Sequence, residues 1–445
     1  MKTQEGDPNA PEASELSRKA ARLSKWLCQP WFLSVWCVLA AFGTYASMYG
    51  FRKPFTAGAY LDPATGISLK SWLVTTQVLG YMLSKFIGIR VIAEMRPERR
   101  AGMLLALIGI AEISLLLFAV TPAPYNIAWL FFNGLPLGMV FGLVLGFLEG
   151  RRQTEAFVAG LCASFILADG VTKSVGAELL RLGVAEGWMP FVAGLVFLLP
   201  LVGFVWMLSR IPAPNALDIQ ARSARSPMTR GERVAFIKRH GLGLAAITLA
   251  YLLVTVLRSL RADFAPEIWA ALGSTMNPGV FTRSELMVAL GVVVTNGLVV
   301  LIRDNRRAFF TALTLSIGGL TLAALAVIAL RLGQVSGFQF MVLLGLGMYV
   351  PYVAVHTTVF ERLIALTRDR GNIGYLMYLA DAFGYLGYVA VMLGKQIWPV
   401  KAGFLDFFTT LTLWAAGASI LSIGSAMVFF RRVRSFSPRL PDSSA

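Results

Sequence analysis

The chain has 445 residues, 56% hydrophobic and only 14% charged, and its 40 Lys and Arg against 24 Asp and Glu give a formal net charge of +16. Apolar residues in this proportion, gathered in runs of about 20 or more, identify a membrane protein, because a helix of that length crosses a ~30 Å hydrocarbon core. The cysteines Cys28, Cys37 and Cys162 lie in or beside apolar segments without metal-ligand spacing, which excludes a disulfide or zinc framework and leaves them as buried small hydrophobes.

The first 30 residues form a polar tail of mixed charge without the short apolar region and small-residue cleavage site of a signal peptide. Twelve apolar runs follow, near residues 32–58, 71–92, 102–120, 126–148, 156–180, 189–209, 242–269, 286–302, 309–330, 338–360, 373–396 and 404–430. Backbone polar groups in lipid must be satisfied within their own segment, and no alternating barrel pattern is present, so the runs are predicted to be helices of an all-α integral membrane protein. The longest internal break, Ser209 to Gly241, is rich in Arg, Ser, Ala and Pro and has an amphipathic piece starting at Thr229. It divides the chain into an N-terminal six-helix half over 31–209, a basic linker over 210–241, and a C-terminal half over 242–431 followed by a tail over 432–445. Parallel six-helix halves are the plan of major facilitator transporters, which bind substrate near the midplane between them.

Lys and Arg collect in both termini and in the even-numbered connections, whereas the opposite connections hold Lys70, Arg181, Arg283, Arg331, Lys395 and Lys401. By the positive-inside rule both termini are expected to be cytoplasmic, with the chain in the plasma (inner) membrane. Topology thus accounts for most of the positive charge and removes nucleic acid from the expected partners. The lipid bilayer remains, its anionic headgroups attracting the basic loops.

The first run carries two cations, in Tyr45-Ala-Ser-Met-Tyr49-Gly-Phe-Arg52-Lys53, and the seventh carries Arg258. A charged side chain at the bilayer centre costs roughly 3 kcal/mol on insertion scales, so intramembrane cations without local acids mark an anion site by default. Tyr45 precedes Arg52 by seven residues and Tyr251 precedes Arg258 by seven, about two turns, so each tyrosine shares a helix face with its arginine. Arg52 has two readings: at the outer interface, reaching into headgroups, or further in if the helix starts nearer Trp36. Arg258 lies about 24 Å beyond Leu242 at ~1.5 Å per residue, with Asp263 and Pro266 still ahead, which favours the interior. A guanidinium fork matches two oxygens of a phosphate or carboxylate, so one arginine from each half would clamp a single anion.

Other polar residues within the runs also have two readings each. Lys85 either snorkels to the inner face or is buried for function. Asp169 and Lys173, four apart with acid before base, form an ion pair that locks a helix or meets substrate or a proton. Asp381 has no local cation, although Tyr378, Tyr385 and Tyr388 surround it at helical spacings, and Arg258, Arg52 or a neighbouring cation is the expected partner across the cavity. His356 is a satisfied core group or a proton carrier. Glu361, followed by Arg362, and Glu149, followed by Arg151 and Arg152, fit gating or end-capping at cytoplasmic helix ends. There is no Ser/His/Asp set, HExxH, P-loop or dinucleotide fingerprint, so neither an enzyme nor a cofactor or metal is expected.

These residues together resemble the organophosphate:phosphate antiporter family of the major facilitator superfamily. Its Tyr-x(3)-Tyr-x-x-Arg-Lys pattern is Tyr45, Tyr49, Arg52 and Lys53; its Ser-Lys-Phe-Ile is Ser84 to Ile87. Leu257-Arg258 with Asp263 and Pro266, Tyr349-x-Pro351, and Phe383-Gly384-Tyr385-Leu386-Gly387 complete the likeness, which spans roughly residues 35 to 430. The resemblance implies that Arg52 and Arg258 hold phosphate, that Tyr45, Tyr49 and Tyr385 line the cavity, and that Lys53 and Lys85 support the positive field. It also implies that helices 1, 2, 4, 5, 7, 8, 10 and 11 surround the cavity. Three departures stand out: Glu94 where Asp is usual, Lys173 in one alignment where the family has a histidine, and the additional acid Asp381.

The reading is a monomeric secondary transporter of a small anion, an organic phosphate exchanged for inorganic phosphate. A proton-coupled carrier of a carboxylate or other solute, with Asp169 or Asp381 titrating, and a transporter-like anion sensor are the alternatives.

Overall fold

A computed structural model describes residues 26, 29–61, 68–93, 95–148, 151, 154–213, 230–273, 277–367, 373–397 and 403–432. The N- and C-terminal tails, Cys28, Asp62, Pro63, Glu94, Glu149 and residues 214–229 of the linker lie outside them. Among the described residues twelve long helices follow one another: α1 (Pro30–Tyr49), α2 (Lys70–Ala93), α3 (Arg100–Val120), α4 (Ile127–Leu148), α5 (Thr154–Arg181), α6 (Met189–Ser209), α7 (Arg230–Asp263), α8 (Gly279–Val300), α9 (Asn305–Arg331), α10 (Gly337–Ala354), α11 (Ile373–Ile397) and α12 (Phe404–Arg432). A π turn, Val355–Val359, and a short helix, Phe360–Thr367, prolong α10.

Ten helices among the described residues are long and apolar enough to cross a membrane. α2 falls short of that hydropathy, and the described side chains of α11 form an apolar stretch over Leu379–Gly394. α2 carries Lys70, Gln77 and Lys85, all buried, and α11 carries buried Asp381. Large apolar side chains such as Ile113, Leu199, Val294, Trp414 and Leu421 face outward. An apolar exterior of this kind over helices of spanning length belongs to an integral multi-pass membrane protein.

Within the first six helices α1 packs on α5 and α6, α2 on α4, and α3 on α4 and α6; within the last six, α7 packs on α11 and α12, α9 on α10 and α12, and α8 on α10. The broadest contacts between the two groups are α5 against α8 and α2 against α11. Small residues permit the closest crossings. A Cβ at Gly134 of α4 would overlap the Gln77 carbonyl of α2, and one at Gly170 of α5 would overlap the Phe281 carbonyl of α8.

Two predicted runs are broken rather than continuous. The first run was expected to extend to residue 58, but α1 ends at Tyr49 and the chain turns through 50–53 into a 3₁₀ turn, Pro54–Ala57. The seventh stops at Asp263, and a short helix, Ala265–Ala271, follows. Pro54 and Pro266 cause both breaks, since each lacks an N–H and disfavours helical geometry in the residue before it. At its other end α7 begins at Arg230, so the last part of the predicted linker is helical.

Candidate functional site

The turn after α1 positions Arg52. Its N–H donates to Tyr49 O at 3.0 Å, so the chain keeps close to the helical path and Arg52 stays near the side of Tyr45 and Tyr49. Gln77 Nε2 donates to Arg52 O (3.0 Å) and to Asn133 Oδ1 (2.8 Å), while Asn133 Nδ2 donates to Phe51 O (3.0 Å) and Ala111 O (3.1 Å). This buried amide pair fastens the turn to α2, α3 and α4, supplying partners for carbonyls that the broken helix leaves open.

The Arg52 guanidinium carbon lies 3.8 Å from the Tyr81 ring centre and 6.0 Å from that of Tyr385. Arg258, from α7, lies 4.3 Å from the ring centre of Tyr352 and donates to the Tyr385 hydroxyl at 3.5 Å. Both arginines therefore converge on Tyr385, one from each half. Their residues are 3% and 7% exposed, neither has a carboxylate partner among the described residues, and the Nε of each lacks an acceptor. Aromatic faces stabilise a desolvated cation by about 2 kcal/mol. Withdrawing an ion from water costs several kcal/mol, so the rings offset only part of it.

The surrounding cations, in contrast, are paired. Lys53 bonds Asp263 across the halves, and Asp263 also accepts from Tyr388 at 2.8 Å. Lys173 bonds Asp169, whose other oxygen lies 4.0 Å from Lys53. Arg261 meets Glu285 at 2.7 Å, and Lys70 meets Glu267 at 2.6 Å. Together these pairs form a charge-balanced layer toward the end of the molecule where α2 begins. On the opposite side of the arginines Lys85 meets Asp381 at 3.2 Å, again across the halves. Asp381 also lies 3.5 Å from His356 and accepts from Tyr251.

Between the arginines and this second pair lies a small cavity. The N-terminal half lines it with Tyr45, Tyr49, Tyr81, Lys85, Phe141 and Phe165, and the C-terminal half with Tyr352, His356, Asp381 and Tyr385. A water-sized sphere has about 20 Å³ for its centre there. That is the space of about one water, so any organic solute requires the halves to move apart.

Several sequence expectations change. Arg52 is not at a lipid interface, and Lys85 does not snorkel, because both are enclosed by the opposing half. The partner of Asp381 is Lys85, not an arginine, because α2 and α11 pack together and bring the two side chains level. Asp169 and Lys173 do pair, in the balanced layer. Glu361 lies in the first turn of the short helix after the π turn, away from the cavity lining, and the Tyr378 side chain lies outside the described residues. Sequence reasoning missed Tyr81, Gln77, Asn133 and Tyr352. Tyr81 stands four residues before Lys85, and Tyr352 four before His356, which is the spacing that puts each pair on one helix face.

A sequence profile described as "Family of unknown function (DUF5690)" matches residues 54–433. The chain belongs to that family. No curated protein matches the sequence of this DUF5690 member. Solved structures similar to it include a D-xylose-proton symporter (14% identity, TM-score 0.57, covering 90% of this chain and 97% of the other) and the nucleoside transporter NupG (14%, 0.57, 90% and 99%). A bacterial homologue of the iron transporter ferroportin in an outward-facing state is similar to the same degree (15%, 0.57, 90% and 99%). These likenesses establish the fold, an all-α bundle of the major facilitator type.

Proposed function

We propose that this protein is a secondary transporter that moves a small anion by alternating access, and that the anion is an organic phosphate exchanged for inorganic phosphate. The observation that carries the reading is the pair of buried arginines, one from each half, both directed at Tyr385 and both without a carboxylate among the described residues. A tetrahedral dianion placed between them would take up two forked donors at once, supplying the counter-charge that the aromatic walls lack. The fold shared with sugar and nucleoside carriers supports transport, and the Tyr-x(3)-Tyr-x-x-Arg-Lys likeness supports phosphate. A monomer suffices, because the arginines come from the two halves of one chain. Two buried guanidinium groups with no carboxylate beside them among the described residues favour an anion over a neutral solute. A thermal-shift screen of the purified protein against inorganic phosphate, phosphorylated metabolites and dicarboxylates tests it. Stabilisation by phosphates above the others is expected. A response to dicarboxylates alone would reject the phosphate assignment.

A further inference from the structure

One cluster, Asp381, His356, Tyr251 and Lys85, lies on the other side of the cavity from the balanced layer. His356 sits in the π turn that interrupts the helix path of α10, a deformation found often at functional sites. Its Nδ1 lies 3.1 Å from the Tyr352 carbonyl. A carbonyl only accepts, so Nδ1 carries the hydrogen and Nε2 of the neutral ring presents a lone pair. That lone pair faces Asp381 Oδ1 at 3.5 Å and the Tyr251 hydroxyl at 3.3 Å. The hydroxyl's single hydrogen goes to Asp381. Two acceptors therefore confront each other across a gap with no hydrogen between them. The arrangement is one proton short.

We propose that His356, with Asp381, is a proton-binding site whose occupancy is tied to the parting of the two halves, which makes H⁺ a co-substrate of the carrier. This rests on the transporter reading above. The step balances simply: a hydronium ion from the aqueous side gives one proton to Nε2 and leaves as water, and the new N–H donates a hydrogen bond to Asp381 Oδ1 with no other bond changed. Its effect follows from which half each group belongs to. Lys85 comes from α2, while Asp381, His356 and Tyr251 all come from the C-terminal half. When α2 leaves α11, Asp381 loses its cross-half cation. A carboxylate left buried and unpaired is costly. An imidazolium at His356 retains a counter-charge within the same half and releases Lys85 into the cavity beside the arginines.

The groups facing this pair are few. Lys85 approaches from α2, Tyr251 from α7 and Tyr385 from α11. The Cys162 thiol on α5 feels the Asp381 charge, and Tyr352 lies a turn earlier on α10. Behind the turn α9 and α12 bring Leu313, Ser316 and Ile423. The ionisable residues of α8, Arg283 and Glu285, lie near its start, Glu285 against Arg261. Histidine is the side chain whose ordinary range of proton exchange spans pH 5–8.

The chain has 2 histidines, so a His240→Gln variant isolates the ring signal of His356 by NMR in nanodiscs. Proton uptake at His356 as the pH falls from 8 to 5, shifted to lower pH by Asp381→Asn, is expected. A ring that takes up no proton in that window, or whose titration ignores Asp381→Asn, overturns the proposal whatever the substrate is. In proteoliposomes, an inwardly directed pH gradient should drive labelled inorganic phosphate to accumulate, up to about tenfold per pH unit for one proton per turnover. His356→Gln should make the rate independent of pH. Phosphate exchange that ignores the gradient contradicts this inference alone. No phosphate exchange at any pH contradicts the phosphate reading, and the NMR titration still decides the proton site.

Discussion

Replacing Arg258 with methionine separates a binding cation from a structural one. The guanidinium is almost wholly buried, 4.3 Å from the Tyr352 ring centre, with one long hydrogen bond to Tyr385. The ring contact and the hydrogen bond contribute about 2 and 1 kcal/mol, against a desolvation penalty of several kcal/mol for an unpaired ion. Methionine fills similar space with an adaptable apolar chain. Arg258→Met should therefore unfold at or above the wild-type temperature when no anion is present. Binding should suffer instead, because two charge-assisted hydrogen bonds of about 1.5–3 kcal/mol each disappear, weakening Kd on the order of 100-fold or more. Arg258→Lys, which keeps the charge but loses the fork, should lose most of the binding as well. Thermal unfolding with and without inorganic phosphate measures both effects. A methionine variant that melts several degrees lower yet keeps the full phosphate shift would show the arginine to be structural and refute the reasoning.

Lys53→Met should destabilise the protein by roughly 3–5 kcal/mol, by stranding Asp263 beside Tyr388 alone, and Lys53→Met/Asp263→Asn should recover much of the loss; a double variant no better than the single one argues against a balanced pair. Asp381→Asn removes the carboxylate from a cationic cavity and frees Lys85, so phosphate should bind roughly tenfold tighter, about 1.4 kcal/mol. Unchanged affinity in a calorimetric titration would remove Asp381 from the binding chemistry. Arg222→Cys, in the basic linker, should react with impermeant thiol reagents only in inside-out vesicles, and labelling of intact cells would reverse the assigned topology.

Most of the fold was legible because membrane helices carry their length and polarity in local sequence. The exceptions are physical rather than accidental. The runs of α2 and α11 were legible too, whereas the partners of their Lys85, Gln77 and Asp381, which lie on other helices, were not. The breaks at 50–53 and 264 needed Pro54 and Pro266 to be read as terminators rather than as tolerated prolines within a span. The paired arginines were visible as unneutralised charge in apolar runs. Their aromatic contacts were not, since whether Tyr81 or Tyr352 meets a guanidinium depends on how helices rotate against one another, which periodicity leaves open. For the same reason Asp381 was assigned an arginine partner: sequence shows that a cation is needed, and only the contact of α2 with α11 selects Lys85.

In the function proposed above, Arg52 and Arg258 hold one phosphate-bearing anion in a carrier. Counterflow of labelled inorganic phosphate into phosphate-loaded proteoliposomes tests it most directly, with wild type, Arg52→Lys and Arg258→Lys compared at equal pH on both sides. The account predicts saturable counterflow in the wild type, competed by organic phosphates, and its near-complete loss in each lysine variant. Wild-type vesicles that exchange no phosphate, or lysine variants that exchange it at the wild-type rate, would contradict it.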